Sequence, residues 1–394
     1  MDKLAGRRPE VPGRIAVLLA ATLLVAAACQ AGPGATPTAA PPTGQDTPPA
    51  GTPGEATPGQ ETPPPDGEPG VVIPEQAQQQ IDQLRSTLEG QSYIIGTSAF
   101  PNSSIVGAFK TVELMEEIFG VDIDFRELDS DPLVAAMLSG QVQVGQLSLA
   151  GQASANEAGG DFVAIGADDQ KNTFLVAAKD PIESLEEVEG QPFGVTQNLN
   201  QITGQTARKC LEAVGLDVER DVQLLRLGNT GEITQAIRAD QLVAGISAIF
   251  RLTQMRLEDG DIYNVLCEGW EVNPQISSIW MVTRDFAAQN EDFLVALNVA
   301  SLLSARWAND NPQDWVQTAT GYVEGLTPEA AEIDYQNLVV ELDNWPVNGS
   351  LDREMCQQTL DTSFEFGVIT QELQCEDVVT FEYQDRAVEL LGEQ

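Results

Sequence analysis

Polar side chains that could bind a small molecule are concentrated in five short segments, each placed after a run typical of a β-strand. In an open α/β sheet, ligands bind outside the carboxyl ends of the strands, so these segments are predicted to border one site. Their polar side chains are hydroxyls and amides, which suit a neutral polar ligand better than a dianion. The segments are 97–104, 146–148, 198–203, 228–230 and 247–250.

Eight residues of these segments are the predicted ligand contacts. Two are phenylalanines that could sandwich a flat ring, although packing at the edge of a sheet explains them equally well. The hydroxyls of Ser98 and Thr230 could instead cap helices, as could those of Ser104 and Thr203. The eight residues are Ser98, Phe100, Asn102, Ser148, Asn200, Gln201, Thr230 and Phe250.

The chain of 394 residues contains no histidine, which excludes several kinds of catalytic and metal site. Ser-His-Asp catalysis, Cys-His catalysis and imidazole proton transfer all need the missing side chain. No serine lies in a G-x-S-x-G motif, and no cysteine pair has the C-x-x-C spacing of zinc or redox sites. The residue types therefore favour a binding protein, without metal or cofactor, over an enzyme.

Four of the five cysteines are predicted to form disulfides, because an even number suits an exported protein. Cys210 and Cys267 fall in one α/β region, whereas Cys356 and Cys375 lie 19 residues apart near the C-terminus. Pairing within each region gives Cys210–Cys267 and Cys356–Cys375. The second closure would stabilise the fold by roughly 3 kcal/mol in the loop-entropy model.

Apolar spacing predicts strands alternating with helices in two stretches, 93–149 and 191–250, which indicates βαβ units. The stretches align at an offset close to 100, with Gly145 against Gly245, so two similar α/β lobes are predicted. The alternative is that the two stretches are similar by chance, because many α/β proteins share this pattern. Two more strand-like runs, 172–178 and 277–283, are predicted to carry the chain between the lobes.

The N-terminus has the form of a signal peptide, with basic residues before an apolar run at 15–28 that is too short to span a bilayer comfortably. Small residues directly before Cys29 resemble a bacterial lipobox, which implies cleavage there and a lipid on the sulfur. A plain secretory signal is the alternative. The Pro-, Thr- and Gly-rich segment that follows is predicted to be a disordered, semi-stiff spacer.

The domain division expected from these patterns has four parts. Helical patterns over 286–308, 312–323 and 328–338 are expected to pack on the first lobe. The acidic balance, a net charge of −40, repels nucleic acid and anionic membrane surfaces. The parts are a signal peptide at 1–28, a linker at 29–75, a first lobe at 76–175 plus 276–394, and a second lobe at 176–275.

The run 190–250 and the sequence LVAAMLSGQVQVGQLSLAG resemble bacterial solute-binding proteins of ABC importers in the nitrate, sulfonate, taurine and thiamine-precursor group. The resemblance covers about 93–345. It implies an α/β, two-lobe periplasmic-binding-protein-like fold of type II with a two-strand hinge, and an ABC permease as partner. A monomer is expected. The family often has Asp where this chain has Ala244 or Gly245.

The resemblance does not identify the ligand, for which a thiamine pyrimidine precursor, a flavin, a sulfonate and nitrate are all candidates. The amides and phenylalanines favour a planar heterocycle. Synthases of a pyrimidine precursor also resemble this family, but their chemistry consumes a histidine, so an enzyme is disfavoured. We therefore expect an extracytoplasmic protein, attached to the cell membrane only by lipid, that delivers a small polar or heterocyclic molecule to a permease.

Overall fold

The structure is a computed structural model that describes residues 71–394. The predicted signal peptide, the lipid site at Cys29 and the linker up to residue 70 lie outside the described residues. The strands within them are, in chain order, β1 (Ser92–Thr97), β2 (Asp122–Glu127), β3 (Val144–Leu147), β4 (Phe162–Asp169), β5 (Phe174–Lys179), β6 (Pro192–Thr196), β7 (Gln223–Leu227), β8 (Ala244–Ala248), β9 (Tyr263–Glu268) and β10 (Ser278–Thr283).

The helices predicted from apolar spacing are present, with ends that differ from the predicted ones by a few residues, and several others join them. Gly120 ends the second helix in the left-handed conformation that glycine adopts easily, with a φ of 68°. The helices are α1 (Glu75–Leu88), α2 (Val106–Phe119), α3 (Ser130–Leu138), α4 (Leu149–Glu157), α5 (Ile202–Ala213), α6 (Thr230–Arg238), α7 (Ile249–Asp259), α8 (Gly269–Val272), α9 (Arg284–Gln289), α10 (Glu291–Asp310), α11 (Pro312–Tyr322), α12 (Pro328–Tyr335), α13 (Arg353–Glu365), α14 (Cys375–Val378) and α15 (Glu382–Leu391).

The strands form two sheets with the same topology, β2-β1-β3-β10-β4 and β7-β6-β8-β5-β9. In each sheet three parallel strands are followed by an antiparallel fourth strand, which is β10 in the first and β5 in the second. We call the elements around the first sheet the first lobe, and residues 174–272 around the second sheet the second lobe. The predicted α/β class with two similar halves is confirmed.

The chain passes between the sheets twice, but not within the strands where the crossings were predicted. Strand β5 lies wholly in the second sheet, and β10 lies wholly in the first. The crossings are the short segments 170–173 and 273–277 that precede these strands. The sequence prediction was wrong in this detail because a buried strand has the same apolar pattern whichever sheet it joins.

The two lobes also share a close contact between a helix and the sheet, made at equivalent glycines. A Cβ atom on Gly145 would lie 2.3 Å from the sulfur of Met137, and one on Gly245 would lie 2.7 Å from Ile233 Cγ2. Each glycine thus lets the preceding helix, α3 or α6, lie directly on its sheet. Gly245 also faces the carbonyl oxygen of Gly194, 2.8 Å from the same Cβ position, so there is no room there for a side chain.

Side chains of the first sheet alternate between two apolar cores. Ile95 and Ile165 belong to the core shared with α1, α2, α10 and α15, whereas Phe162 and Ala164 face the core shared with α4, α13 and α14. This period of two is expected for strands that are covered on both faces. The sheet is therefore enclosed by helices, and only its strand ends are free to border a site.

Helix α12 contacts both lobes, whereas the sequence analysis expects the C-terminal helices to pack on the first lobe. Its Asp334 is fully buried and accepts a 2.5 Å hydrogen bond from the hydroxyl of Ser103, which belongs to the first lobe. Burial raises the pKa of Asp334 to about 6, while hydrogen bonds from Ser103 and from Thr253 of α7 oppose the rise. The apolar residues of α12 belong to the core of the second lobe.

Two disulfides are present, Cys210–Cys267 and Cys356–Cys375, and both are the pairs predicted from the sequence. The first joins α5 to β9, an edge strand of the second sheet. The second joins α13 to the start of α14. Each bridge therefore lies within one region of the fold, as the pairing argument assumed.

Candidate functional site

A cavity of about 850 Å³ lies between the two sheets, and residues from both lobes line it. It is bordered by the loops that follow β1, β3, β6, β7 and β8, the strand ends selected by the sequence argument. The structure brings together all eight predicted contact residues, each of which lines the cavity: Ser98, Phe100, Asn102, Ser148, Asn200, Gln201, Thr230 and Phe250.

Helix N-termini from both lobes converge on this cavity. The first residues or N-caps of α3 and α4 line it from one side, and those of α5 and α6 line it from the other. Backbone N–H groups at a helix start are unpaired and carry partial positive charge. The cavity therefore offers donors for an oxygen-rich part of a ligand, even though no lysine or arginine is among the described residues that line it.

Three polar residues that border the cavity cap helices, although not the serines and threonines for which capping was the alternative. Asn102 accepts a hydrogen bond from the backbone N–H of Ser104, and Ser148 accepts one from Gly151. Asn229 caps α6 in the same way. Asn102 also donates to the Phe100 carbonyl, so its side chain is largely occupied in shaping the loop after β1.

Four predicted contacts have polar side chains that bond to no other described residue. They are distributed over both lobes, so a ligand between the lobes could bond to each side. Ser98 uses its backbone N–H to bond to the Gln146 carbonyl at 3.1 Å, which fixes the strand end while leaving its hydroxyl free. The four are Ser98, Asn200, Gln201 and Thr230.

The two phenylalanines do not hold a flat ring between them in this structure. The ring centroids of Phe100 and Phe250 are 6.0 Å apart at an interplanar angle of 68°, an edge-to-face contact across the lobes. The packing alternative describes this geometry, in which the rings contact each other, and the sandwich stays a prediction. The Arg251 guanidinium packs 5.3 Å from the first ring centroid and 5.1 Å from the second.

Two buried carboxylates at the end of β4 were missed by the sequence analysis. Asp169 lines the cavity, and its neighbour Asp168 accepts a 2.7 Å hydrogen bond from the Gln146 amide. Burial raises the pKa of both carboxyls, and repulsion from Asp169 raises that of Asp168 further. The signal was in the sequence, since two acids directly follow a buried apolar run at the carboxyl end of a strand.

A C-terminal strap, residues 351–381, covers part of the cavity and was also missed. Its Gly367 and Val368 line the cavity, while the Glu157 carboxylate of α4 accepts the backbone N–H of Thr370 at 2.8 Å. On the other side, Lys209 of α5 bonds to Glu365 at 2.8 Å. The strap therefore contacts both lobes, a role that no local pattern in its sequence indicates.

Buried amides join the two crossing segments next to the cavity. Asn172 donates to the Asn273 carbonyl at 3.0 Å and to the Thr206 hydroxyl at 2.9 Å. Gln275, which lines the cavity, donates to Asn273 at 2.7 Å. Because these side chains satisfy one another away from water, they hold the entry and exit of the second lobe side by side.

Comparison with known families decides the class of this protein. A family model described as ABC transporter, phosphonate, periplasmic substrate-binding protein matches residues 103–300. The chain belongs to this family. It is thus a periplasmic substrate-binding protein of an ABC transporter and not an enzyme, as the sequence analysis predicted.

Solved structures share the fold of this binding protein at low sequence identity. The aliphatic sulphonate binding protein SsuA from Escherichia coli aligns with a TM-score of 0.60 at 15% identity, covering 76% of this chain and 99% of its own. The alkanesulfonate-binding protein SsuA from Xanthomonas axonopodis pv. citri, bound to MOPS, aligns with a TM-score of 0.58 at 17% identity, covering 74% of this chain and 99% of its own. The nitrate-binding protein NrtA from Synechocystis PCC 6803 aligns with a TM-score of 0.59 at 11% identity, covering 77% of this chain and 89% of its own.

Other comparisons add less about this binding protein. Among curated protein sequences, none matches the chain. Within residues 71–394, none of the helices is long and apolar enough to cross a bilayer. The family model thus identifies the class, and the cavity must indicate the ligand.

Proposed function

We propose that this protein captures a small polar organic molecule in the cavity between its lobes and delivers it to the permease of an ABC importer. The observation that carries the proposal is the cavity itself, which both lobes line with hydroxyl and amide groups that bond to no other described residue. Such a site is complete only when both lobes contact the ligand. A ligand therefore favours the closed arrangement by its differential affinity for it.

The size of the cavity supports an organic ligand over a small inorganic anion. A volume of about 850 Å³ falls in the upper part of the range for sites that enclose metabolite-sized molecules. Nitrate would leave most of this space to water. A heterocycle such as a thiamine pyrimidine precursor or a flavin suits the volume, and a sulfonate is the second candidate because helix N-termini from both lobes line the cavity.

The domain division belongs to the same proposal. In it, residues 76–175 and 276–394 form one lobe and residues 176–275 the other, so that rotation at 170–173 and 273–277 opens the cavity. Only a few backbone dihedrals need to change in such a hinge. The protein acts as a monomer, because one chain supplies both walls of the cavity.

Removing one free polar group from either lobe should weaken binding. A ligand found by thermal shift with riboflavin, pyrimidine precursors, taurine, alkanesulfonates and nitrate would serve as the probe. Ser98→Ala in the first lobe and Asn200→Ala in the second should each cost about 1–3 kcal/mol of binding free energy by calorimetry, since each leaves a ligand group unsatisfied. The exposed Ser139→Ala and Gln241→Ala provide controls.

The same ligand should reduce the radius of gyration of residues 71–394 in small-angle scattering. Tight binding with unchanged scattering would contradict lobe closure. Loss of affinity in the variants of one lobe only would contradict a site shared by both lobes.

We also propose that Cys29 attaches the protein to the membrane through lipid, with residues 29–75 as the spacer. The small residues before Cys29 support this, because they resemble a lipobox. Cys29→Ser should shift the protein from the membrane fraction to the soluble fraction and remove the lipid mass from its N-terminus, whereas Thr36→Ser should change neither. A Cys29→Ser protein that still fractionates with membranes at unchanged mass would exclude this anchor.

A further inference from the structure

Two adjacent carboxylates lie side by side at the end of β4, where the chain leaves the first sheet. Asp168 is 3% exposed and Asp169 is 4% exposed. Asp169 pairs with Ser278 of β10 and Ala167 pairs with Ile279, so a β-bulge leaves Asp168 without a partner in the ladder. Bulges redirect side chains next to binding sites. The bulge thus accounts for two buried acids in succession, of which Asp169 lines the cavity.

These carboxylates have hydrogen-bond donors but no cation. Asp169 accepts a 2.5 Å bond from the Ser277 hydroxyl, and Asp168 accepts its bond from Gln146. Within residues 71–394 neither acid takes part in an ion pair. Lys171, two residues further on, donates instead to the carbonyl of Leu342. Burial without a counter-charge favours the neutral forms of these carboxyls, and a cationic partner would favour their ionised forms.

A third acceptor lies in the same wall of the cavity. Gln146 lines the cavity and is 2% exposed, and its Oε1 has no hydrogen-bond partner. Its amide nitrogen is already used by Asp168. A buried carbonyl oxygen without a donor is uncommon in native structures and requires a partner. Gln146 and Asp169 thus lie together in the cavity wall, and the free amide oxygen of Gln146 still needs a donor.

We propose that Asp169 and Gln146 bind a protonated amine or amidine nitrogen of the transported ligand, with Asp168 hydrogen-bonded to Gln146 beside them. The three residues are here called the acid cluster. An N–H cation satisfies the free amide oxygen and neutralises the buried acids in one contact, which neither an anion nor a quaternary ammonium can do. The inference rests on the proposed function, because it assumes that the ligand occupies this cavity. It deepens that function by assigning a nitrogen cation to the first-lobe wall, while the helix N-termini bind the ligand's oxygen atoms.

Matched probes that differ in one group test this assignment on the full chain. Taurine and isethionate differ by ammonium against hydroxyl, and benzamidine and benzamide differ by amidinium against amide. In thermal shift and calorimetry at millimolar concentrations, the nitrogen cation of at least one pair should bind more tightly than its partner. Calcium chloride is tested as a further probe, since a metal ion is the other kind of cation that carboxylates bind.

Asp169→Asn should weaken binding of the cationic member tenfold to hundredfold, roughly the loss of a hydrogen bond to a charged group, and leave the uncharged member unaffected. The exposed Asp285→Asn is the control. Asp168→Asn is the second variant, should Asp169→Asn fail to fold. Gln146→Leu, which removes the free oxygen, should act in the same direction.

The inference would be overturned if no cationic probe binds, if each uncharged member binds as tightly as its partner, or if calcium alone stabilises the protein. It also falls if Asp169→Asn and Asp168→Asn bind the cationic member as well as the parent chain does. Should Ser98→Ala and Asn200→Ala then still weaken binding of a probe, the proposed function stands without the acid cluster. If none of these variants affects any probe, the proposed function fails with it.

Discussion

Replacing Cys210 and Cys267 together with alanine should lower the free energy of unfolding by roughly 4 kcal/mol. The bridge spans 57 residues, and in the loop-entropy model a closed loop of this size restricts the unfolded chain by about that amount. It also fixes β9, an edge strand, to the buried helix α5. Urea denaturation of the oxidised protein, followed by tryptophan fluorescence, measures the difference.

The second disulfide supplies the matched control. Cys356 and Cys375 are 19 residues apart, so their replacement with alanine should cost less, roughly 3 kcal/mol. An equal or smaller loss for the Cys210 and Cys267 pair would contradict the order set by loop length. A loss below about 1 kcal/mol for either pair would show that unfolded-state entropy is not what these bridges restrict.

Asp334→Asn should make the protein less sensitive to pH and more stable above neutrality. The folded-state pKa of Asp334 is raised from 3.8 to about 6, so its neutral form is the one that the fold favours. Its contribution to stability is fully present below pH 3.8 and is lost as the pH rises through 6. The loss is about 3 kcal/mol at 1.36 kcal/mol per pKa unit.

Asparagine has no charge to bury, so the stability of the variant relative to the parent should grow by about that amount between pH 4 and pH 8. Urea denaturation across this range gives the slope, which is independent of any fixed cost of the substitution. Glu332→Gln, on an exposed position of the same helix, is the control. Parallel pH profiles for the parent and Asp334→Asn would show that this carboxyl does not titrate with folding.

Local patterns predicted much of this fold because the local physics and the tertiary structure agree. Apolar spacing over 203–214 predicts a helix, and α5 spans Ile202–Ala213 because the apolar positions of this segment also face the core. Gly145 and Gly245, which align in the sequence repeat, lie in β3 and β8, and these strands hold the same position in two sheets of the same order. The eight predicted contact residues, from Ser98 to Phe250, all line one cavity because the carboxyl ends of the strands that precede them face it.

Features that depend on distant parts of the chain could not be predicted. The sequence contains no local sign that the C-terminal strap covers the cavity, because its contacts join Thr370 to Glu157 and Glu365 to Lys209 across more than one hundred residues. The contact between Phe100 and Phe250 likewise depends on how the lobes meet. Aromatic type alone could not distinguish a stack on a ligand from a contact between the rings.

The paired crossings have a consequence for how such a protein can be rebuilt. Because 170–173 and 273–277 lie side by side and are joined by the Asn172 and Asn273 amides, the second lobe is topologically an insertion into a continuous first lobe. A module whose two ends lie close together can be exchanged with little strain on its host, provided that the apolar residues of α12 that pack on it stay covered. A short peptide in place of the second lobe should thus leave the first sheet complete, with half of the cavity open to water.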